Sequence, residues 1–238
     1  MPDRRRHRGP HPADRELFAP AALAALRQAA GDLSWLLSRG YSPVAAATLV
    51  GDHFRLTVRQ RQAVQRAACA DAALAWRQAH CVPPGAIAGQ ELDIDGFNLL
   101  MTIEAALGGA VVLVCRDGCC RDLASMHGSY RRVDESLPAL TAIGESLAEL
   151  RAGACRWLFD RPVSNSGRIG QLAAALAEAR SWPWRFELCA SPDAVLRASP
   201  RIVVSADSAV LDGCQRWFNL AAWVLQRAAP GAWRVDLR

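Results

Sequence analysis

Apolar residues recur at three- and four-residue spacing from Arg15 to about Cys81 and then change texture. In the first stretch "PAALAALRQAA" and "LSWLLSRG" carry one apolar face each, which predicts amphipathic helices. "YSPVAAATLVGDHF" opens with Ser42 and Pro43, a helix start, and meets a candidate stop at Gly51. "LTVRQRQAVQRAACADAALAWRQ" restarts at Thr57 as N-cap and reads as one further helix. The turn around Gly51–Leu56 makes this pair resemble a helix–turn–helix. A small all-α module over residues 15–82 is therefore expected.

"CVPPGAIAGQ" places two prolines and two glycines within a few residues, so the helix ends there and an extended path begins. Beyond it, over residues 88–238, β-rich runs alternate with helical ones. Strands are predicted at "ELDID", "AVVLVCR", "CRWLFD", "RFELCA" and "RIVVSAD". The intervening segments are helical, and "AVLDGCQRWFNLAAWVLQRAA" closes the series as one long helix. Such alternation predicts an α/β fold, a mostly parallel Rossmann-like sheet flanked by helices.

Composition narrows this picture. Of 238 residues 51% are hydrophobic, enough for a packed core. No apolar run is long enough to cross a bilayer, and none follows the N-terminal arginines, so no membrane partner and a cytoplasmic location are expected. Residues 1–14, "MPDRRRHRGPHPAD", lack apolar periodicity and read as a disordered basic tail. The eight cysteines form no C-x-x-C pair and read as reduced, partly buried thiols, with the close group Cys115, Cys119 and Cys120 as a residual metal or redox candidate. All 28 cationic side chains are arginines. The first third is basic and the remainder slightly acidic. On the second helix of the pair Arg59 and Arg66 share a face, with Arg55 just before them, and such a face could lie on phosphates.

In open parallel sheets functional residues collect at the carboxyl ends of strands. Four of the five predicted strands end near aspartates: Asp95, then Asp117 with Asp122 beyond, Asp160, and Asp207 with Asp212 following. "RFELCA" delivers none. A single strand-end aspartate has a purely local reading, because it caps the next helix well. Several converging on one rim repel each other unless a cation is present. A hard divalent ion, Mg²⁺ or Mn²⁺, suits such oxygen donors and supports phosphodiester hydrolysis.

"DIDGFNLL" resembles the opening motif of the PIN-like nuclease superfamily, especially its NYN branch, and "VVSADSAVLD" is similar to that group's closing strand end. The chain from about residue 35 to 225 also resembles a prokaryotic family of unknown function with an N-terminal helical part and a C-terminal PIN-like part. The resemblance implies a PIN-like α/β domain in which Asp95 is the first metal-binding acid and Asp207 the first of a closing pair. The second of that pair falls on Ala209, which cannot ligate, and Asp212 is the nearest replacement. Asp117, Asp122 and Asp160 are candidates for the middle acid.

Around this set, "DRPVSNSGRIG" places Ser164, Asn165, Ser166 and Arg168 at a helix start, suited to phosphate or simply to capping. Asn98, His127 and Arg131 are further candidate substrate contacts. No Walker loop, dinucleotide fingerprint or nucleophile elbow occurs. The function expected is metal-dependent hydrolysis of phosphodiester bonds, RNA ahead of DNA, with Asp95, Asp160, Asp207 and Asp212 carrying it. Two rivals stand beside it: a nucleic-acid-binding protein without catalysis, and a small-molecule phosphate or nucleotide enzyme.

Overall fold

The computed structural model describes residues 6–124 and 130–238. Five helices come first: α1 (Asp14–Leu17), α2 (Pro20–Ser38), α3 (Pro43–His53), α4 (Val58–Ala67) and α5 (Asp71–His80). Thr57 caps α4 through a capping box, its hydroxyl accepting from the Gln60 N–H while the Gln60 side chain accepts from the Thr57 N–H. The segment expected as one helix from Thr57 breaks at Ala68–Ala70. The carbonyls freed there are used elsewhere: Ala67 accepts from the Arg116 N–H and Cys69 from the Arg116 guanidinium. Tertiary hydrogen bonds thus override a sequence with no local stop signal.

There follow β1 (Leu92–Asp95), α6 (Gly96–Leu107), β2 (Val112–Val114), β3 (Cys120–Asp122), α7 (Ser136–Glu149), β4 (Cys155–Asp160), α8 (Ser166–Ala179) and β5 (Trp184–Cys189). The chain continues through α9 (Pro192–Arg197), β6 (Ile202–Val204), α10 (Ser208–Leu211), α11 (Leu220–Ala228) and β7 (Arg234–Asp236). Strands β5, β4, β1 and β6 form, in that order, a parallel four-stranded sheet. The predicted strand around Val112 does not join it. Strand β2 instead pairs antiparallel with β3 and parallel with β7 in a separate three-stranded sheet. The expected closing helix is also divided: α10 ends at Leu211, and α11 restarts where the Asn219 side chain accepts from the Ala222 N–H. Between them Trp217 is buried, its backbone N–H donating to the His80 carbonyl and its ring N–H to the Arg77 carbonyl.

The main sheet alternates cleanly between its two faces. Leu92 and Ile94 of β1, with Trp157 and Phe159 of β4 and Ile202 and Val204 of β6, pack into one core with residues of α6, α7, α8 and α11. The opposite side of the sheet carries Leu158 and Val203, packed with Leu196 of α9, Val210 of α10 and Trp217.

The helical part has no core of its own. Leu26, Leu33, Val50, Val64 and their neighbours pack in one cluster with Leu113 and Val235 of the small sheet and with Val111, Cys115 and Leu237 that flank its strands. Val112 of β2 and Cys120 of β3 belong to the large α/β core. The small sheet is therefore the layer shared by the two parts. Residues 6–13, expected to be loose, are also engaged: the Arg8 guanidinium donates to the buried Glu104 carboxylate at 2.6 Å, and its N–H donates to Glu135. No described helix is long and apolar enough to cross a membrane.

Candidate functional site at the carboxyl rim of the parallel sheet

Period-two alternation puts Asp93 and Asp95 of β1 on the face away from the large core, and the two meet different surroundings. Asp93, at the amino end, accepts from Arg156 at 2.6 and 2.9 Å, from Arg201 at 3.2 Å and from the Ser199 hydroxyl at 2.6 Å. Burial pushes its carboxyl up, but the hydrogen bonds and charges of these partners outweigh that and hold it below the ordinary range. Asp95, at the carboxyl end, is 6% exposed and has no cationic partner among the described residues. Burial, together with the charges of Asp193 and Asp207, pushes its pKa up to about 7 against the hydrogen bond from Ser205.

Two motifs far apart in the chain lock together here. The Ser205 hydroxyl donates to Asp95 Oδ2 at 2.7 Å and accepts from the Asp207 N–H at 3.0 Å. The Asn98 side-chain oxygen accepts from the Ala206 N–H at 2.8 Å. Gly96 is required between them, since a Cβ at this position would lie 2.5 Å from the Phe159 ring. The "DGFN" and "SAD" segments thus form one joint between β1, α6 and β6. In it Asn98, expected as a substrate contact, holds backbone instead.

Asp160 at the end of β4 and Asp207 before α10 complete the sequence-predicted part of the rim. Burial and the charge of Asp193 raise the Asp160 carboxyl. Asp207 Oδ1 caps α10, accepting from the N–H groups of Ala209 and Val210. Asp193, in the first turn of α9, was not among the expected residues. Burial and the charge of Asp207 raise its carboxyl, with Arg197 pulling it down. Its charge reaches Asp95 and Asp160 alike, so it is the member that ties the group together. The signal for it was the helix start "SPD" after β5, one step beyond the strand end itself.

The rim stands out against the treatment of aspartates elsewhere. Asp14, Asp52, Asp71, Asp93, Asp117, Asp122, Asp212 and Asp236 each have an arginine within salt-bridge distance. Asp134 has His7. Among the described residues Asp95, Asp160, Asp193 and Asp207 have none, and the one other aspartate without an ion pair there, Asp32, is exposed on α2. In a chain with 28 arginines, four neighbouring carboxylates left without one form a distinct environment.

The other expected residues lie apart from this group. Asp212 accepts from Arg77 at 2.7 Å, and buried Asp117 accepts from Arg77 and Arg121 at 2.6 Å each. These pairs fasten α5 to the loop after β2, to β3 and to the end of α10. Asp122 accepts from the Ala124 N–H and the Thr102 hydroxyl. On α4, Arg59 is paired with Asp14, and Arg66 donates to the carbonyls of Asp122 and Ala124. Two of the three arginines expected to contact nucleic acid are thus spent inside the molecule, while Arg55 is exposed in a turn at φ 50°. In the loop before α8 the Ser166 hydroxyl donates to the Val163 carbonyl, the Asn165 amide donates to the Tyr130 carbonyl, and the Ser164 carbonyl accepts from the Tyr130 N–H. Arg131 and Arg168 are exposed. His127 lies outside the described residues.

The donor set at the rim suits a hard cation in kind, being all oxygen and short of positive charge. No group of three or more His, Cys, Asp or Glu side chains among the described residues is arranged to hold one ion. Mg²⁺ does not need such a cage, because it keeps several waters and binds through one or two carboxylates plus substrate oxygens. The residues fit an ion held in that open manner. The eight cysteines are free thiols, with Cys115, Cys119 and Cys120 buried and the first and last pushed up by burial to about 11. Buried thiols of this kind are inert.

Comparison with other proteins places the chain but attaches no activity to it. It is 27% identical over 146 residues to the uncharacterized protein MJ0935 of Methanocaldococcus jannaschii, covering 61% of this chain and 70% of that one. No solved structure matches it. Residues 25–79 match the model described as protein of unknown function (DUF434), which corresponds to α2 through most of α5. Residues 84–223, carrying the whole four-stranded sheet and its aspartate rim, match the domain of unknown function DUF5616, and the chain belongs to that family.

Proposed function

We propose that the rim is the centre of a metal-dependent phosphodiesterase acting on nucleic acid, RNA ahead of DNA, in a PIN-like α/β domain. The observation that carries this reading is the gathering of Asp95, Asp160, Asp193 and Asp207 at one sheet edge with no arginine paired to them, the first three raised chiefly by burial. The order β5-β4-β1-β6 and the joint between the "DGFN" and "SAD" segments support the PIN-like part of the reading. Asp95 and Asp207 would hold Mg²⁺ or Mn²⁺, with the charge of Asp193 beside them. When bound, such an ion lowers the pKa of water and neutralises charge on the leaving oxygen. Ser205 fixes the Asp95 carboxylate by its hydroxyl, and Asp207 is fixed through its own helix cap. Asp160, its carboxyl raised by burial and by the charge of Asp193, is a stronger base than a free carboxylate and suited to take a proton from water. Ala209 in place of a second closing acid is matched by Asp193, which brings a carboxylate to the same rim from α9.

Incubation with Mn²⁺ and end-labelled single-stranded RNA and DNA tests this. Cleavage that depends on the ion and falls at least about a hundredfold in Asp95→Asn and Asp193→Asn is expected. Calorimetric titration of the ion, with proton release near neutral pH, gives a readout independent of turnover. An absence of both cleavage and ion uptake overturns the reading. Engagement of Arg59 and Arg66 inside the molecule favours a second reading, a nucleotide or small phosphate ester as substrate. Ion-dependent release of phosphate from such an ester, with oligonucleotides untouched, would select it.

A further inference from the structure

We propose that the chain forms a symmetric dimer by antiparallel pairing of β5 with β5 of a second copy. Strand β5 is an edge of the four-stranded sheet, bonded on one side only, to β4. Its residue order makes self-pairing specific. The Pro183 carbonyl accepts from the Cys155 N–H, and the Cys189 carbonyl accepts from the Arg161 N–H. Odd-numbered residues therefore turn their peptide groups toward β4. The alternate residues Trp184, Phe186 and Leu188 turn theirs outward.

Of these outward groups the Trp184 N–H is taken by the Trp182 carbonyl and the Leu188 carbonyl by the Arg161 guanidinium. What remains is the Phe186 N–H and carbonyl, the Leu188 N–H and the Trp184 carbonyl. A twofold axis through Phe186 satisfies this remainder. The two Phe186 residues exchange both their bonds, and each Leu188 N–H donates to the Trp184 carbonyl of the other copy. Any other register leaves some of these groups unmatched.

The side chains agree with the same axis. Arg185 and Glu187 are exposed and stand one residue either side of Phe186. Across the twofold each Arg185 faces a Glu187, giving two opposite-charge pairs in directly opposed positions. Arg185 has no salt bridge among the described residues, and Glu187 has only the 3.4 Å contact with Arg156. Charges on an edge strand ordinarily discourage pairing. These two exclude shifted registers and reward the symmetric one. On the other face Leu188, 38% exposed for a large apolar residue, comes opposite Trp184, which is half-buried against the large core. Helix α8 lies over β5, so the two α8 helices also become neighbours. The two aspartate rims then open at opposite ends of one eight-stranded sheet, and the inference does not depend on what chemistry they perform.

Sedimentation equilibrium of the full chain tests the proposal. The wild type is expected to sediment at twice the mass of a single chain and to dissociate on dilution. Arg185→Glu and Glu187→Arg each place like charges opposite one another at two positions, and each is expected to weaken association by about tenfold or more. The double variant Arg185→Glu/Glu187→Arg restores opposite pairs and is expected to regain the dimer. Both positions are exposed, and circular dichroism should show all three variants folded. A wild type that stays at single-chain mass at every concentration, a dimer insensitive to the single variants, or one that the double variant fails to restore would each overturn it.

Discussion

Asp93 and Asp95 are two residues apart on one face of one strand, yet the first is held charged by Arg156 and Arg201 and the second is pushed toward the neutral acid. The difference becomes a dependence of stability on pH. An Asp95 carboxyl with a folded pKa of about 7 binds its proton more tightly in the native chain than in the unfolded one, whose value is near 4. Between those values the native state holds the extra proton, so this group's contribution is full at low pH and is lost as pH rises through 7. Asp95→Asn removes the titration while keeping an oxygen to accept from Ser205. The variant is expected to match the wild type near pH 4 and to exceed it at pH 8 by up to about 4 kcal/mol in denaturant unfolding. A gap that is constant across pH would contradict the assignment.

At the scale of elements, the joint between β1 and α6 depends on the missing side chain of Gly96. Ala at this position would press on the Phe159 ring, which is fully buried between Phe97 and Trp157. Gly96→Ala is expected to cost about 1–3 kcal/mol by thermal unfolding and to shift the Asp95 carboxylate enough to weaken ion uptake. This joint was legible in the sequence, because alternation in "LDID" and a helix restart at a glycine are local signals. The strands β3 and β7 were not. "CRD" and "RVD" are short and charged, and become strands only because β2 lies between them. Asp193 was not legible for a related reason: it reaches the rim from the first turn of a helix, past the strand end where such residues collect. The break at Ala68–Ala70 had no local cause at all, and arises from Arg116 hydrogen-bonding to carbonyls on either side of Ala68.

For the whole molecule, the boundary near Pro83 divides the sequence but not the core. The family matches stop and start there, at residues 79 and 84, and the charge balance changes there as well. The apolar cluster of α2, α3 and α4 nonetheless continues into Val111, Leu113, Val235 and Leu237, and Arg77 of α5 ties Asp117 to Asp212. Residues 84–238 expressed alone would expose that layer and leave buried Asp117 with one arginine fewer. Such a fragment is expected to bind a hydrophobic dye and to unfold without a sharp transition, while the full chain does neither. A cooperative melt of the fragment would show two independent domains.

The register that sets Val112 beside Arg234 has a further consequence for the way the chain is made. Strand β7 supplies Val235 to the same apolar layer that α2, α3 and α4 occupy, so in a nascent chain that layer stays incomplete from the synthesis of those helices until β7 has emerged. Native assembly of these helices must await a strand made long after them, and a chaperone that shields them meanwhile would raise the yield of correctly assembled protein.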